Sequence, residues 1–200
     1  MIKFIIAGVT ALLVAGCGHM SLNNGPDASA IPLIWKPTTS LARGGTIDLT
    51  GRTLAQLRIE VTDDRTEPGF IGRNTEKLPP RKVTTPDSVA SFVGVHLKQL
   101  ISSTGVAEVD DAGTVLLKAE IQQFFVEETE IYNGNVRLKV TLVNNSGAPV
   151  WTGITSGTSI RFGRSYSAEN YYETMSDSLI DAVHNLMRST AFRTALAGAS

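Results

Sequence analysis

The apolar pattern of residues 114–162 constrains the fold most, because it follows the two-residue period of β-strands. In 114–132, apolar side chains alternate with charged and amide side chains until the pattern blurs near Phe124. That irregularity indicates a bulge or a face covered by a helix. Residues 136–142 and 149–162 alternate again. Turn signals at 133–134 (Asn-Gly) and 144–147 separate the three stretches, which predicts a meander of antiparallel strands.

Two amphipathic stretches predict helices. The first follows Thr85, which can cap a helix, while Pro86 and Asp87 suit its first turn. Its apolar stripe runs to Ile101, so we expect a helix over 86–103. The second follows a capping Ser167 and is expected over 168–190.

The remaining strands are predicted at 54–62, which alternates, and at 106–109. Residues rich in Pro, Gly and charge, up to Pro80, are expected to form a loop. The fold class is therefore α+β in the order β-α-β-β-β-β-α. We expect an antiparallel sheet of four to five strands with both helices packed on one face.

The N-terminus carries an apolar run behind a single positive charge, Lys3. A positive start, a short apolar core and small residues before a cleavage point are typical of a bacterial export signal. A membrane-spanning helix is the alternative, but it needs about 20 apolar residues, and this run stops earlier, at Cys17. Residues 1–16 are therefore expected to be a cleaved signal peptide.

The residues that precede the only cysteine carry a resemblance. Val14-Ala15-Gly16-Cys17 resembles the lipobox of bacterial lipoproteins, in which small residues precede an invariant cysteine. The resemblance implies cleavage between Gly16 and Cys17, with diacylglycerol on the thiol and an acyl chain such as palmitate on the new amino terminus. Several acyl chains on one residue anchor a protein essentially irreversibly. The alternative is that Cys17 is not acylated and is an ordinary buried cysteine.

The chain after the signal divides into a tether and one domain. Residues 17–52 hold many Pro and Gly breakers and are expected to be an extended tether, whose apolar island at 31–35 packs on the domain or binds a partner. Residues 53–200 are expected to form a single periplasmic α+β domain. Gly18 implies, by the same resemblance, sorting to the outer membrane rather than retention in the inner membrane.

The charge and cysteine content exclude several function classes. The formal net charge of −1 becomes −2 once Lys3 is removed, so no basic excess indicates nucleic acid. With Cys17 acylated, the mature chain has no thiol for disulfides, for cysteine catalysis or for thiolate metal sites.

The polar clusters do not form a recognisable catalytic set. The acidic stretch of Asp63, Asp64 and Glu67 suggests either a hard-cation site or, as we prefer, a solvated loop with Arg65 as counter-ion. The acidic side chains at 127–130 are expected to pair across the strands with basic ones at 137–139. The three histidines are scattered, without metal-ligand spacing. We therefore predict no catalytic residue, no metal and no cofactor, and exposed aromatics used mainly for packing.

The ordered pattern resembles a known family. The chain carries, in this order, a lipobox, a strand ending in Asp63-Asp64-Arg65-Thr66, a helix after Thr85-Pro86, the stretch Gly134-Asn135-Val136-Arg137 and a last helix led by Tyr171-Tyr172. This ordered set is similar to that of the YajG-like lipoproteins of Gram-negative envelopes. The similarity covers residues 54–196. It implies an outer-membrane lipoprotein whose molecular role is uncharacterised, with only Cys17 to carry over as a site.

Three functions follow as hypotheses. The first is a non-enzymatic, membrane-anchored lipoprotein that binds another envelope component, for example through the open edge of strand 149–162. The second is an auxiliary lipoprotein subunit of a lipid or lipopolysaccharide transport system, which predicts an apolar groove between helix and sheet. An enzyme such as a cell-wall hydrolase is the third, and it needs a cleft with converging polar groups.

Overall fold

A computed structural model describes residues 28–41, 56–76, 78–107, 115–163 and 166–199. The predicted α+β class, with helices packed on a sheet, is confirmed. The strands are β1 (Ala28–Ala30), β2 (Leu57–Asp63), β3 (Phe70–Asn74), β4 (Arg81–Thr84), β5 (Val115–Glu128), β6 (Ile131–Asn144) and β7 (Pro149–Phe162). The helices are α1 (Val89–Ser102), α2 (Ala168–Arg188) and α3 (Thr190–Gly198).

Within the described ranges the sheet is mixed and has seven strands, which corrects the expectation of four to five antiparallel ones. β6 pairs antiparallel with both β5 and β7, as the meander requires. On the other edge of β5, β2 and β3 lie one after the other, both parallel to it. β4 then pairs with β3, and β1 with β4. β1, β3 and β4 have three to five residues each, too few for alternation to distinguish them from a loop.

The turn between β5 and β6 lies at 129–130, so the prediction of a hairpin turn at Asn133-Gly134 is wrong. Both residues lie inside β6, where Gly134 pairs with Val126. A Cβ atom on Gly134 would come within 2.3 Å of the Ser178 Oγ atom on α2. This glycine therefore serves close packing of a helix on the sheet, a use that a dipeptide signal cannot distinguish from a turn.

Helix α1 begins three residues later than predicted. Its N-cap is Ser88, whose side chain accepts a hydrogen bond from the Ser91 N–H. Asp87 instead accepts a hydrogen bond from the Leu33 N–H at 2.7 Å. Thr85 likewise does not cap the helix; its hydroxyl accepts from the Asp87 N–H.

The last predicted helix, 168–190, is present as α2, and a further helix that was not predicted, α3, follows it. α2 ends at Arg188. Ser189 then caps α3, because its side chain accepts a hydrogen bond from the Phe192 N–H. Ser167 precedes α2 as predicted but makes no side-chain capping bond; its N–H donates to the Tyr132 hydroxyl instead.

One hydrophobic core lies between the helices and a single face of the sheet. Leu117, Leu138, Leu97 and Leu179, from β5, β6, α1 and α2, are all fully buried in it. A register shift between Ile121 and Gln123 supplies the predicted irregularity of β5. Within the described ranges, no helix is long and apolar enough to cross a membrane.

Candidate binding groove beside the edge strand β7

β7 is the last strand of the sheet, and the side chains on its outer face include several exposed apolar ones. Even-numbered residues of β7 face away from the helices. Among them, Ile160 is 64% exposed and Phe162 is 84% exposed. Apolar side chains this exposed on an edge strand are an association hazard in a monomer, so they indicate a binding surface.

The free edge of β7 is closed in its middle by two side chains of α2. The Thr158 N–H donates to the Asp181 carboxylate at 2.9 Å, and the Asn185 amide donates to the Ser156 carbonyl at 2.9 Å. Because edge-facing residues alternate along an antiparallel strand, the backbone groups of Ile160 face the same edge. Among the described residues, none bonds to these groups of Ile160.

Helix α2 reaches this edge because glycine lets it approach β7 closely. A Cβ on Gly157 would lie 2.1 Å from the Ala182 backbone nitrogen and 2.2 Å from the Ser178 carbonyl oxygen. The Thr155 hydroxyl also donates to the Ala182 carbonyl at 2.6 Å. This contact brings the polar side of α2 beside the edge strand.

A second wall is the segment of residues 31–40, here named the strap, which packs along α1 and α2. The Lys36 N–H donates to the Ser176 hydroxyl at 3.0 Å. The Thr38 N–H and hydroxyl donate to the Asp177 carboxylate at 2.8 and 2.6 Å, and the Thr39 N–H donates to it at 3.1 Å. The strap is therefore held in an extended form largely through its backbone, although it belongs to the range predicted as a tether.

Two ring contacts fix the middle of the strap. The Trp35 ring stacks on His96 with centroids 4.0 Å apart, and Phe92 packs edge-on against His96. Burial lowers the pKa of His96, which favours the neutral ring in this stack. His96 is thus a packing residue.

Arg161 joins the strand, the helix and the strap. Its guanidinium lies 2.8 Å from the Glu173 carboxylate and 3.3 Å from that of Asp177, and it donates to the Thr38 hydroxyl. Asp177 is itself almost fully buried. A buried carboxylate of this kind requires several donors, and strap and arginine together supply them.

Between these walls lies an open groove of about 790 Å³. It is lined by Thr38, Thr39, Ser40, Thr158, Ser159, Ile160, Arg161, Phe162, Asp177, Ile180, Asp181 and His184. Hydroxyl, carboxylate and guanidinium groups form much of its lining, while exposed Ile160 and Phe162 contribute apolar surface. The groove can therefore offer an extended chain both hydrogen bonds and apolar contacts.

The groove lacks an assembled catalytic set in the part of the chain that the structure describes. Asp181 already accepts the Thr158 N–H, and no hydrogen bond joins a nucleophile to His184 there. No group of three or more His, Cys, Asp or Glu side chains within the described ranges is placed to hold a metal.

The acidic residues singled out in the sequence are structural. Arg65 donates to Asp63 at 2.8 and 2.6 Å, so Arg65 is the counter-ion as predicted. The predicted solvated setting is wrong for this pair, because the two side chains are only 10% and 9% exposed. The expected cross-strand pairing of 127–130 with 137–139 is wrong, because the turn lies four residues earlier than predicted. Lys139 pairs with Glu120 at 2.9 Å, and Arg137 donates to Gln122 at 3.3 Å.

Glu128 is buried at the end of β5 instead of being a surface charge. It is 1% exposed and accepts hydrogen bonds from the Tyr132 and Tyr171 hydroxyls, both at 2.9 Å. Burial raises the pKa of Glu128, and burial next to this carboxyl raises the pKa of Tyr132 to about 12. Burial also raises the pKa of Tyr171. The cluster ties β5 to α2 and lies away from the groove lining.

We expect the stability of the protein to fall as the pH rises from the ordinary Glu128 value of 4.5 through its raised pKa in the folded state. In that range the folded state binds more protons than the unfolded state, so the free energy of unfolding decreases with pH. Glu128→Gln removes the ionisation and should flatten this dependence. Urea unfolding of both proteins between about pH 4 and 7 measures it. Equal slopes for the two proteins would contradict the assignment.

The sequence pattern does not identify Arg161 and Asp177 as site residues. Gly16 and Cys17 lie outside the described residues, so cleavage and acylation there stay predictions. Neither Arg161 nor Asp177 has a local motif, because the partners described above are 12 or more positions away in the sequence. One signal in the sequence was available: Asp177 lies next to the apolar stripe of the predicted second helix, with no basic partner nearby on that helix.

No protein-family model matches the chain. No curated protein matches it either. Among solved structures, protein XCC0632 from Xanthomonas campestris, of family DUF330, aligns with a TM-score of 0.50 and 10% identity over 86% of this chain and 95% of that chain. A Caulobacter crescentus protein described as a lipoprotein aligns with a TM-score of 0.44 and 11% identity over 70% of this chain and 91% of that chain. At such identities the first likeness concerns the fold alone, and the finer resemblance to YajG-like lipoproteins is not confirmed.

Proposed function

We propose that this chain is a lipid-anchored envelope lipoprotein without enzymatic activity, which binds an extended segment of another envelope protein in the groove beside β7. The proposal rests on two features of the edge strand: the edge-facing backbone groups of Ile160, which no described residue bonds, and the exposed side chains of Ile160 and Phe162. A strand added by a partner would form main-chain hydrogen bonds with the backbone of Ile160 and would pack its side chains on Ile160 and Phe162.

The anchor rests on the sequence. The apolar run, the small residues before the cut and the single cysteine at position 17 together support acylation of Cys17. The resemblance to bacterial lipoproteins, through Gly18, supports an outer-membrane location facing the periplasm. Membership of the YajG-like lipoproteins is part of this proposal. A domain on a lipid anchor meets other anchored or membrane proteins at a high effective concentration, which suits a weak edge contact.

The strap shows how this surface holds an extended chain. Two side chains of α2, Ser176 and Asp177, accept three N–H groups of the strap. The groove continues from the strap toward the free edge, where Arg161 and Asp181 provide charged groups. A partner segment lying there would meet the same kinds of donor and acceptor that already hold residues of this chain.

The alternative is an auxiliary lipoprotein subunit of a lipid or lipopolysaccharide transport system that holds a lipid between helix and sheet. In the described part of the chain, that interface is filled by core side chains, and Gly134 and Gly157 let α2 touch the sheet directly. The geometry therefore favours a protein segment in the groove over an acyl chain in the core. A transporter subunit can still be the protein partner.

Purification from cross-linked cells tests the proposal. The full-length protein would be isolated in detergent through a C-terminal tag, and its companions identified by mass spectrometry. We expect one dominant envelope protein, reduced at least about tenfold in Ile160→Asp, because a charge on the apolar wall opposes docking. Val95→Asp is the matched control, since Val95 is 62% exposed on α1, outside the groove lining.

A second control is Cys17→Ser, which removes the acylated thiol and should lower the yield of the complex. Unchanged capture of the partner by Ile160→Asp would contradict the groove. A dominant transporter subunit, lost with Ile160→Asp, would support the groove and identify the protein as part of a transport system.

A further inference from the structure

The end of the sheet where the chain enters the fold also carries its most exposed apolar side chain. β1 runs parallel to β4, and Ala28, where β1 begins, pairs with Lys82. β4 follows the turn of the β3–β4 hairpin, so Ala28 lies near that turn. The hairpin tip is defined here as Thr75, Glu76, Leu78, Pro79 and Pro80.

The tip lies at the Glu128 end of the sheet. β3 runs parallel to β5, with Asn74 opposite Glu128, and the Thr75 N–H donates to the Glu128 carbonyl at 2.8 Å. The turn between β6 and β7, at Ser146, lies at the other end. Since β5 has 14 residues, the two ends are about 45 Å apart.

The chain length limits how far this end can lie from the anchored cysteine. Ten residues, 18–27, separate Cys17 from Ala28. Fully extended, that stretch spans at most about 40 Å, and a flexible chain of this length averages about 18 Å end to end. An acyl group on Cys17 therefore holds the start of β1, and with it the tip, within about 40 Å of the bilayer, whereas the Ser146 end can lie much farther away.

The tip suits a lipid surface chemically. Leu78 is 90% exposed, and Pro79 and Pro80 follow it. Beside the tip, Arg73 pairs across the hairpin with Lys82. Both are exposed, and the Lys82 ammonium lies 3.2 Å from the Glu67 carboxylate. An apolar side chain flanked by basic ones matches acyl chains beneath phosphate head groups. The acidic Glu76 and Glu130 lie at the same end and weaken the electrostatic attraction to anionic lipids. We therefore expect apolar contact to contribute most of the binding to the membrane.

We propose that the hairpin tip docks on the bilayer that carries the anchor, with Leu78 inserted among the acyl chains. This inference rests on the proposed acylation of Cys17 and adds a second, non-covalent contact with the membrane. Phe162 pairs with Ile131 at the same end of the sheet, so docking places the binding groove next to the membrane surface. A partner would then be captured from a membrane-proximal segment.

The test uses the full acylated protein reconstituted into vesicles of phosphatidylethanolamine and phosphatidylglycerol. Because the Cys17 thiol is consumed by lipid, Glu76→Cys gives one free thiol at the tip for an NBD fluorophore, and Ser146→Cys gives one at the far end. We expect blue-shifted emission at position 76 and quenching by aqueous dithionite at least about fivefold slower there than at position 146.

Leu78→Ser in the Glu76→Cys background separates insertion by Leu78 from affinity of the dye for lipid. Because the Leu78 side chain is 90% exposed, the fold should be unchanged, and the quenching rate at 76 should rise toward that at 146. High salt should change the result little.

Intact mass of the purified protein distinguishes the two ways in which the proposal can fail. An acylated chain with equal quenching at 76 and 146, or with no effect of Leu78→Ser, overturns membrane docking and leaves the anchor standing. A chain whose mass shows no lipid on Cys17 overturns both the anchor and the docking that depends on it.

Discussion

Gly157→Val is expected to lower the free energy of unfolding by about 3 kcal/mol or more. The added Cβ would lie 2.1 Å from one backbone atom of α2 and 2.2 Å from another. Backbone atoms inside a helix cannot move aside as a flexible side chain can, so α2 would have to leave β7. Because α2 covers β6 as well as β7, much of the core would be exposed to water. Urea denaturation of the purified domain measures the loss.

Gly94→Ala is the matched control for this substitution. Gly94 lies inside α1, and the nearest atom to its new Cβ is a Val61 side-chain carbon at 3.7 Å, which is an ordinary contact. The helix preference of alanine should then raise stability by about 1 kcal/mol. Equal effects of the two substitutions, or a native-like Gly157→Val protein, would contradict the packing of α2 on the edge strand.

Asp177→Ala is expected to lower the free energy of unfolding by about 3 kcal/mol and to release the strap from α2. The carboxylate accepts two N–H groups and one hydroxyl from Thr38 and Thr39, and it faces Arg161. Without it, these donors lose their acceptor, and Glu173 remains as the carboxylate partner of the half-buried Arg161. Hydrogen exchange should show that the amides of Thr38 and Thr39 lose protection, while amides of β5 and β6 keep theirs.

Glu169→Ala provides the comparison. Glu169 is also an acidic residue of α2 that contacts the strap, through Lys36, but its side chain is 63% exposed. An exposed ion pair contributes at most about 0.5 to 1 kcal/mol, so stability and exchange should hardly change. Unchanged protection of Thr38 and Thr39 in Asp177→Ala would show that the strap is held by other contacts.

The long, regular elements could be predicted because their patterns repeat many times. The bounds of β7 are as predicted, and its turn after Asn144 is present, with Gly147 at a positive φ of 81°. The amphipathic stripes of α1 and α2 also faced the sheet as expected. Each of these elements has enough turns or alternations for local periodicity to outweigh noise.

The errors come from residues whose use depends on distant partners. Asn133-Gly134 has the composition of a turn, but Gly134 is required where α2 crosses the sheet. Asp87 has the composition of a first helical turn, but it binds the strap. Glu128 has the composition of a surface charge, but two tyrosines, one of them 43 positions away, satisfy it in the core. Local pattern carries no information about these contacts.

The groove was hardest to predict because three separate segments form it. Arg161 lies on β7, Asp177 on α2 and Thr38 on the strap, 123 positions from Arg161. Only the open edge of β7 was expected, since a terminal strand of a meander has no further neighbour. The strap, the closed middle of the edge and the polar wall become visible only once the helix is packed on the sheet.

Site-specific photo-cross-linking at position 160 in living cells tests the central claim most directly. A benzophenone side chain replacing Ile160 in the anchored protein should yield one discrete adduct with another envelope protein, while the same group at Val95 should yield none. Mapping the adduct should identify an extended segment of the partner. Adducts that are absent, or equally abundant at 160 and 95, would contradict a binding groove beside β7.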